Sequence, residues 1–208
     1  MSEHLIDNLI TLFVVFNPTG IVPNYLYFTR HETATHRRKL AYRSVLIATL
    51  ILIAFIVLGQ ILLEALKISV SSFSIAGGLV LFAISLTTIF ESVHEPVKLV
   101  EKAADGVDKA ARGNLAVFPL ATPLLAGPGG ILIVVLLTDN NRFSVPEQAV
   151  TALALLVVMA LTYLALRAAE VIQRIMGKDG INVTSRIMGL VYAALSVEIV
   201  LNGIRETF

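Results

Sequence analysis

The chain has 208 residues and a net charge of +1, and 56% of its residues are hydrophobic against 15% charged. A mean hydropathy of +0.82 argues against a soluble enzyme or a disordered chain, and the small net charge argues against nucleic acid as a partner. Cysteine is absent, which excludes disulfides, thiolate metal sites and cysteine nucleophiles. This composition is that of a polytopic membrane protein.

Six apolar segments follow one another along the chain, and each is long enough to cross a bilayer as a helix. They are Leu5 to Phe28, Leu40 to Leu63, Val70 to Phe90, Leu115 to Thr138, Gln148 to Leu166 and Val183 to Ile204. Just before the fifth segment, Ser144 and Glu147 have the spacing of a capping box, which marks a helix start. The predicted fold class is therefore all-α, with six transmembrane helices.

Lysine and arginine residues predict the orientation of these helices. With six spans, the connections Arg30 to Arg43, Lys98 to Arg112 and Arg167 to Arg186 share one side of the membrane and hold 13 of the 16 lysines and arginines. Both termini and the other two loops share the opposite side. Because positive residues near helix ends stay in the cytoplasm, both termini are predicted to lie outside the cytoplasm. The predicted location of the protein is the cell (inner) membrane.

An internal repeat divides the chain. Asn17 to Ile21 recurs as Gly127 to Ile131 at an offset of 110, and Gly78 to Ser85 recurs as Gly189 to Ser196 at an offset of 111. The predicted domains are two three-helix repeats, residues 1–90 and 115–208, joined by a cytoplasmic linker over residues 91–114. An odd number of spans in each half makes the repeats inverted, which is typical of secondary transporters that bind substrate between the two halves.

The repeated proline and glycine residues fall near the middle of the first and fourth spans. Proline has no N–H and clashes with the carbonyl four residues earlier, whereas Asn or Gly followed by Pro is favoured at a helix start. We therefore predict that both spans are broken at mid-membrane and that their second half-helices begin at Pro18 and Pro128.

Two half-helices that begin at the membrane centre present free N–H groups and the positive ends of their dipoles to the same place. That arrangement favours a carboxylate, and the carbonyls freed around Val14 to Phe16 and Leu124 to Ala126 can accept from an ammonium group. A small zwitterion, which carries one carboxylate and one ammonium group, fits both the N–H groups and the carbonyls of such a site. If the prolines merely kink two helices, no such site exists.

The segments Phe16 to Pro23 and Phe118 to Gly129 resemble the two signature segments of the MarC family of integral membrane proteins. Ser72 to Gly78 and Ser185 to Leu190 resemble its third and sixth spans, so the resemblance covers essentially the whole chain. Resemblance to the SnatA branch implies transport of small neutral amino acids, such as glycine and alanine, driven by a cation gradient.

Candidate site residues follow from the breaks and from polar side chains within the spans. The predicted substrate-binding residues are Asn17, Pro18, Thr19, Gly20, Ser85, Thr122, Gly127, Pro128, Gly129, Gly130 and Ser196. Glu198 is the one carboxylate well inside a span and is the candidate for ion coupling, although a glutamate hydrogen-bonded in the bundle or reaching water is the alternative. No metal site and no cofactor are predicted.

Other functional classes remain as alternatives. An enzyme is disfavoured because the four histidines lie at or outside the span ends and no Gly-x-Ser-x-Gly sequence is present. A channel, an adaptor protein without active transport, and a transporter or exporter of another small metabolite stay open. The implied partners are an amino acid as the small-molecule substrate, the lipid bilayer, a coupling proton or sodium ion and, as an option, a second copy in a homo-oligomer.

Overall fold

The computed structural model describes residues 2–90 and 115–207, and within these ranges the chain is helical without a β-strand. The helices are α1 (Ser2–Phe16), α2 (Val22–Phe28), α3 (Ala34–Ala65), α4 (Val70–Phe90), α5 (Ala116–Leu125, a distorted π-type helix), α6 (Pro128–Leu136), α7 (Val145–Arg167) and α8 (Ala169–Arg205). The all-α prediction is confirmed for this part of the chain. The predicted linker over residues 91–114 lies outside the described residues.

Four of these helices are long and apolar enough to cross a membrane, namely α3, α4, α7 and the Asp179–Arg205 part of α8. That part follows Gly177, whose φ of 64° interrupts α8. The pair α5 and α6, bent by 55° at their junction, is a fifth candidate. α1 has 15 residues and α2 has seven, so neither is long enough alone. Four to five spans are thus supported by length, and the count of six stays a prediction.

The helices pack into one bundle. α8 lies along α4, α1 lies against α7, and α3 contacts α5, α6 and α7. Leu12, Leu52, Leu120 and Leu155, from four different helices, are almost completely buried where these helices meet. The outer faces remain apolar, which in a membrane protein is surface that lipid covers.

Polar contacts join the chain at the two ends of this bundle. At one end, the Arg37 guanidinium lies 2.7 Å from the Glu170 carboxylate, and the Tyr25 hydroxyl donates to the Arg37 carbonyl at 2.7 Å. At the other end, His4 Nε2 lies 3.7 Å from Glu147 Oε1, and Arg142 pairs with Glu206. The beginning of α1 and the end of α8 therefore lie at the same end of the bundle.

The predicted capping box is confirmed at the start of α7. The Ser144 N–H donates to Glu147 Oε2 at 2.8 Å, and the Ser144 hydroxyl donates to the same oxygen at 2.7 Å. A cap of this kind stabilises a helix start by about 1 kcal/mol. The Glu147 carboxylate of this cap also lies 3.7 Å from His4, so the first residues of α7 lie beside the beginning of α1.

Candidate functional site

The first break lies between α1 and α2 and is built around Asn17. This residue has a φ of 39°, in the left-handed region that asparagine tolerates better than other residues with a Cβ. Its Oδ1 accepts from the Gly20 N–H at 3.1 Å and from the Thr19 hydroxyl at 3.3 Å. Its backbone carbonyl accepts from the Ile21 N–H at 3.3 Å. Asn17 therefore closes a turn that ends α1 at Phe16.

The predicted helix start at Pro18 is wrong, because α2 begins at Val22. The reason is a second proline: a helix that began at Pro18 would place Pro23 in its interior, where the ring clashes with the carbonyl four residues earlier. Starting at Val22 instead places Pro23 in the first turn, where its missing N–H costs nothing. The Gly20 N–H is also already bonded to Asn17, so it is not a free donor for a ligand.

The second break has the predicted form. α6 begins at Pro128 with Gly127 at its N-cap, and the first helical bond runs from the Ile131 N–H to the Gly127 carbonyl at 3.0 Å. Glycine has no side chain that could cap the helix, so the N–H groups of Gly129 and Gly130 receive no side-chain bond. Both glycines are buried. Buried N–H groups of this kind need a partner, which a ligand or water can supply.

Two further prolines distort α5, the first half of this broken pair. Phe118 and Thr122 have φ near −130° and ψ near 128°, which is extended rather than helical backbone. Each immediately precedes a proline, Pro119 or Pro123, and a residue before proline is disfavoured in the helical region. The first half of the fourth segment is therefore not a regular α-helix. The Thr122 hydroxyl donates to the Val117 carbonyl at 3.2 Å.

The two breaks meet at one cavity of about 250 Å³. Phe16 at the end of α1 packs on Gly130 so closely that a Cβ on Gly130 would lie 2.9 Å from its ring. Side chains of α4 and α8 complete the wall. The lining residues are Val15, Phe16, Asn17, Gly20, Ile21, Asn24, Leu81, Ile84, Thr87, Thr88, Pro123, Leu124, Leu125, Gly127, Pro128, Gly129, Gly130, Ser185 and Tyr192. None of the described residues that line it carries a charged side chain.

Six predicted substrate-binding residues line this cavity, namely Asn17, Gly20, Gly127, Pro128, Gly129 and Gly130. The other five, Pro18, Thr19, Ser85, Thr122 and Ser196, are not among its lining residues. Ser85 and Ser196 are fully buried and donate to carbonyls of their own helices, Phe82 at 2.6 Å and Ala193 at 2.7 Å. Back-bonding of this kind occupies a hydroxyl without any ligand.

Glu198 is exposed on α8 and does not line the cavity. Its counterpart in the first repeat, Thr87, does. Prediction from the sequence missed four further polar lining residues, which are Asn24, Thr88, Ser185 and Tyr192. A polar residue within an apolar span is the signal that could have singled out Asn24, one turn beyond Gly20.

Comparison with known proteins gives a consistent family. A family model described as MarC family integral membrane protein matches residues 2–208. A UPF0056 membrane protein of Methanocaldococcus jannaschii is 34% identical, covering 94% of this chain and 93% of its own. The UPF0056 membrane protein YhcE of Escherichia coli is 33% identical over 96% and 91% of the two chains, and YvbG of Bacillus subtilis is 29% identical over 100% and 97%. No solved structure matches the chain.

Proposed function

Because the chain belongs to the MarC family of integral membrane proteins, we propose that this multi-pass membrane protein is a secondary transporter of small neutral amino acids such as glycine and alanine, coupled to a cation gradient. The observation that carries the proposal is the cavity where the two helix breaks meet, whose lining includes Gly129 and Gly130, the residues with uncapped N–H groups at the start of α6. Those two N–H groups are suited to bind a carboxylate at the positive end of α6.

The size and charge of the cavity favour a small zwitterion. At about 250 Å³ it lies below the roughly 300 to 1,000 Å³ of pockets that take drug-sized ligands. An ion that carries a net charge would lose its hydration there without meeting an opposite charge among the lining side chains, which is costly. An amino acid at neutral pH has no net charge and brings one donor group and one acceptor group.

Inverted repeats are part of the proposal, and reciprocal contacts between α4 and α8 support them. A Cβ on Gly78 would lie 2.6 Å from Val200, and a Cβ on Gly189 would lie 2.8 Å from Ile89. Gly189 is the repeat counterpart of Gly78 at an offset of 111, and Val200 is the counterpart of Ile89 at the same offset. The second contact is therefore the first one with the roles of α4 and α8 exchanged. In transporters built from inverted repeats, a pseudo-two-fold axis relates pairs of this kind, the substrate binds between the halves, and access alternates as one half rocks against the other.

The proposed topology has six spans, counting α1 with α2 as one and α5 with α6 as another. The protein lies in the inner membrane, and both termini lie outside the cytoplasm. Support comes from the 13 lysines and arginines in three of the five connections and from the shared bundle end of α1 and α8.

Labelling of single cysteines tests this topology, since the chain has none of its own. In intact cells we expect an impermeant thiol reagent to label Val145→Cys, at a 78% exposed position beside the outer loop, and not Lys109→Cys. Both should be labelled after the membrane is permeabilised. Labelling of Lys109→Cys in intact cells would reverse the orientation.

A role for Glu198 in coupling is not supported by its position. Because this carboxylate lies on the exposed face of α8 and away from the cavity, we expect Glu198→Gln to keep gradient-driven uptake close to that of the parent. Uptake by proteoliposomes with and without an imposed proton gradient measures this. If the variant loses its gradient dependence but still exchanges substrate, Glu198 is the proton carrier after all.

Exchange across liposome membranes separates the proposal from its alternatives. Liposomes that contain the purified protein and unlabelled alanine inside should take up labelled alanine faster than liposomes without internal alanine. The reason is that a carrier with bound internal alanine returns to the outward-facing state faster than an empty one. A channel would conduct alanine without this stimulation. An adaptor protein, or a transporter of another metabolite, would leave labelled alanine outside, and that result would refute the proposed substrate.

A further inference from the structure

The buried hydroxyl of Ser185 differs from the other buried hydroxyls of the bundle in its hydrogen bonding. Every other serine or threonine that is buried in the described part of the chain donates its hydroxyl to a backbone carbonyl. These residues are Thr29, Ser44, Thr49, Ser74, Ser85, Thr138, Thr151, Thr162 and Ser196. Ser185 is 7% exposed, lines the cavity and has no hydrogen-bond partner for its Oγ.

A second unpartnered atom lies in the same wall. Oδ1 of Asn24, on α2, is buried without a partner, and Asn24 also lines the cavity. Of the three buried side-chain atoms without a partner in the described residues, two therefore belong to this one cavity; the third is Nε of Arg37. A buried polar atom left unpaired is costly, so two at one place indicate a ligand that completes their bonds.

The chemistry of these atoms complements the N–H groups on the opposite break. Oδ1 of Asn24 is an acceptor only, and Oγ of Ser185 offers two lone pairs besides its one O–H donor. Thr87 and Thr88 also line the cavity, and their hydroxyls already donate to the Ile84 carbonyl at 2.8 and 2.9 Å, so further bonds to them use lone pairs. Oxygen acceptors therefore predominate in this part of the wall, whereas the N–H groups of Gly129 and Gly130 are donors.

We infer that Asn24 and Ser185 bind the ammonium group of the substrate, which makes the cavity selective for α-amino acids over carboxylates that lack the amine. The inference rests on the proposed function and assigns the amine half of its site. An ammonium group has three donors, and hydrogen bonds to a charged group are stronger than neutral ones. Two acceptors at fixed positions therefore discriminate strongly between alanine and propionate, which differ only at this group.

The test is competition against labelled alanine by unlabelled alanine and by propionate, with the purified protein in detergent. Ser185→Ala and Asn24→Leu should each weaken the binding of alanine about tenfold or more. The affinity for propionate should stay nearly unchanged, since only alanine uses the lost acceptor. Ser185→Thr keeps an acceptor oxygen at this position and should retain alanine affinity. Ser196→Ala is the matched control, because its hydroxyl is buried but bonded to its own helix.

The outcomes separate this inference from the function on which it rests. Ser185→Ala removes a single unpaired oxygen, so it provides a folded variant even where Asn24→Leu is unstable. If Ser185→Ala binds alanine as tightly as the parent, or if alanine and propionate weaken equally in it, the assignment is wrong although amino-acid binding stands. If the parent protein itself does not bind alanine or glycine, the proposed function fails and the assignment fails with it.

Discussion

Gly129→Val is expected to weaken the binding of alanine by tenfold or more. The valine methyl groups would occupy the space beside the Gly129 and Gly130 N–H groups, and each bond from such a donor to a carboxylate is worth roughly 1.5 to 3 kcal/mol. A loss of 1.4 kcal/mol already corresponds to a factor of ten in affinity. Equilibrium binding of labelled alanine to the purified variant measures the change.

Controls separate this effect from a packing defect. A Cβ on Gly129 would lie 2.5 Å from Leu81 Cδ1, the end of a flexible side chain, so Leu81→Ala in the same chain should restore the packing without restoring access to the N–H groups. Gly180→Val, where the nearest atom lies at 3.4 Å and outside the cavity, should bind normally. Alanine methyl ester lacks the carboxylate, so its weaker binding should change little. A folded Gly129→Val protein with parental affinity would place the site elsewhere.

Gly78→Ala is expected to destabilise the protein more than it weakens binding. A Cβ at this position would lie 2.6 Å from Val200 Cγ2 and 3.0 Å from the Ser196 carbonyl oxygen, so the backbone of α8 must move away. Overpacking of this kind costs about 1 to 3 kcal/mol. Thermal unfolding in detergent should show a lower midpoint, while alanine affinity at low temperature stays near that of the parent.

Partial rescue identifies the contact. Val200→Ala removes the methyl group that meets the new Cβ but not the carbonyl, so the double variant should recover part of the lost stability. By the reciprocal relation, Gly189→Ala should be destabilising as well, because its Cβ would lie 2.8 Å from Ile89 Cγ1. A Gly78→Ala protein as stable as the parent would mean that α4 and α8 are not packed closely at this position.

The features that could be predicted from the sequence are those determined by neighbouring residues. The start of α6 at Pro128 follows from glycine then proline, and the start of α7 follows from Ser144 and Glu147. The same rule failed at Pro18 because Pro23, five residues later, takes the first-turn position of the helix instead. Two prolines inside one predicted segment should have shifted the expected break toward the second.

The cavity itself depends on which side of each helix faces the other helices. Asn24 and Ser185 lie 161 positions apart and meet the same cavity only because α2 and α8 are in contact. Ser85 and Ser196 satisfied the repeat pattern but point their hydroxyls back to their own helices. Sequence periodicity alone could not separate these two cases, since a back-bonded and an unpaired serine have the same residue type and the same apolar surroundings.

Accumulation of labelled alanine by liposomes that contain only the purified protein tests the central claim most directly. With a proton or sodium gradient imposed, uptake should saturate with alanine concentration, should exceed the level reached without a gradient, and should collapse when an ionophore dissipates the gradient. Uptake that never exceeds the external concentration under either gradient, or that rises in proportion to alanine without saturation, would contradict the assignment of this protein as a cation-coupled amino-acid transporter.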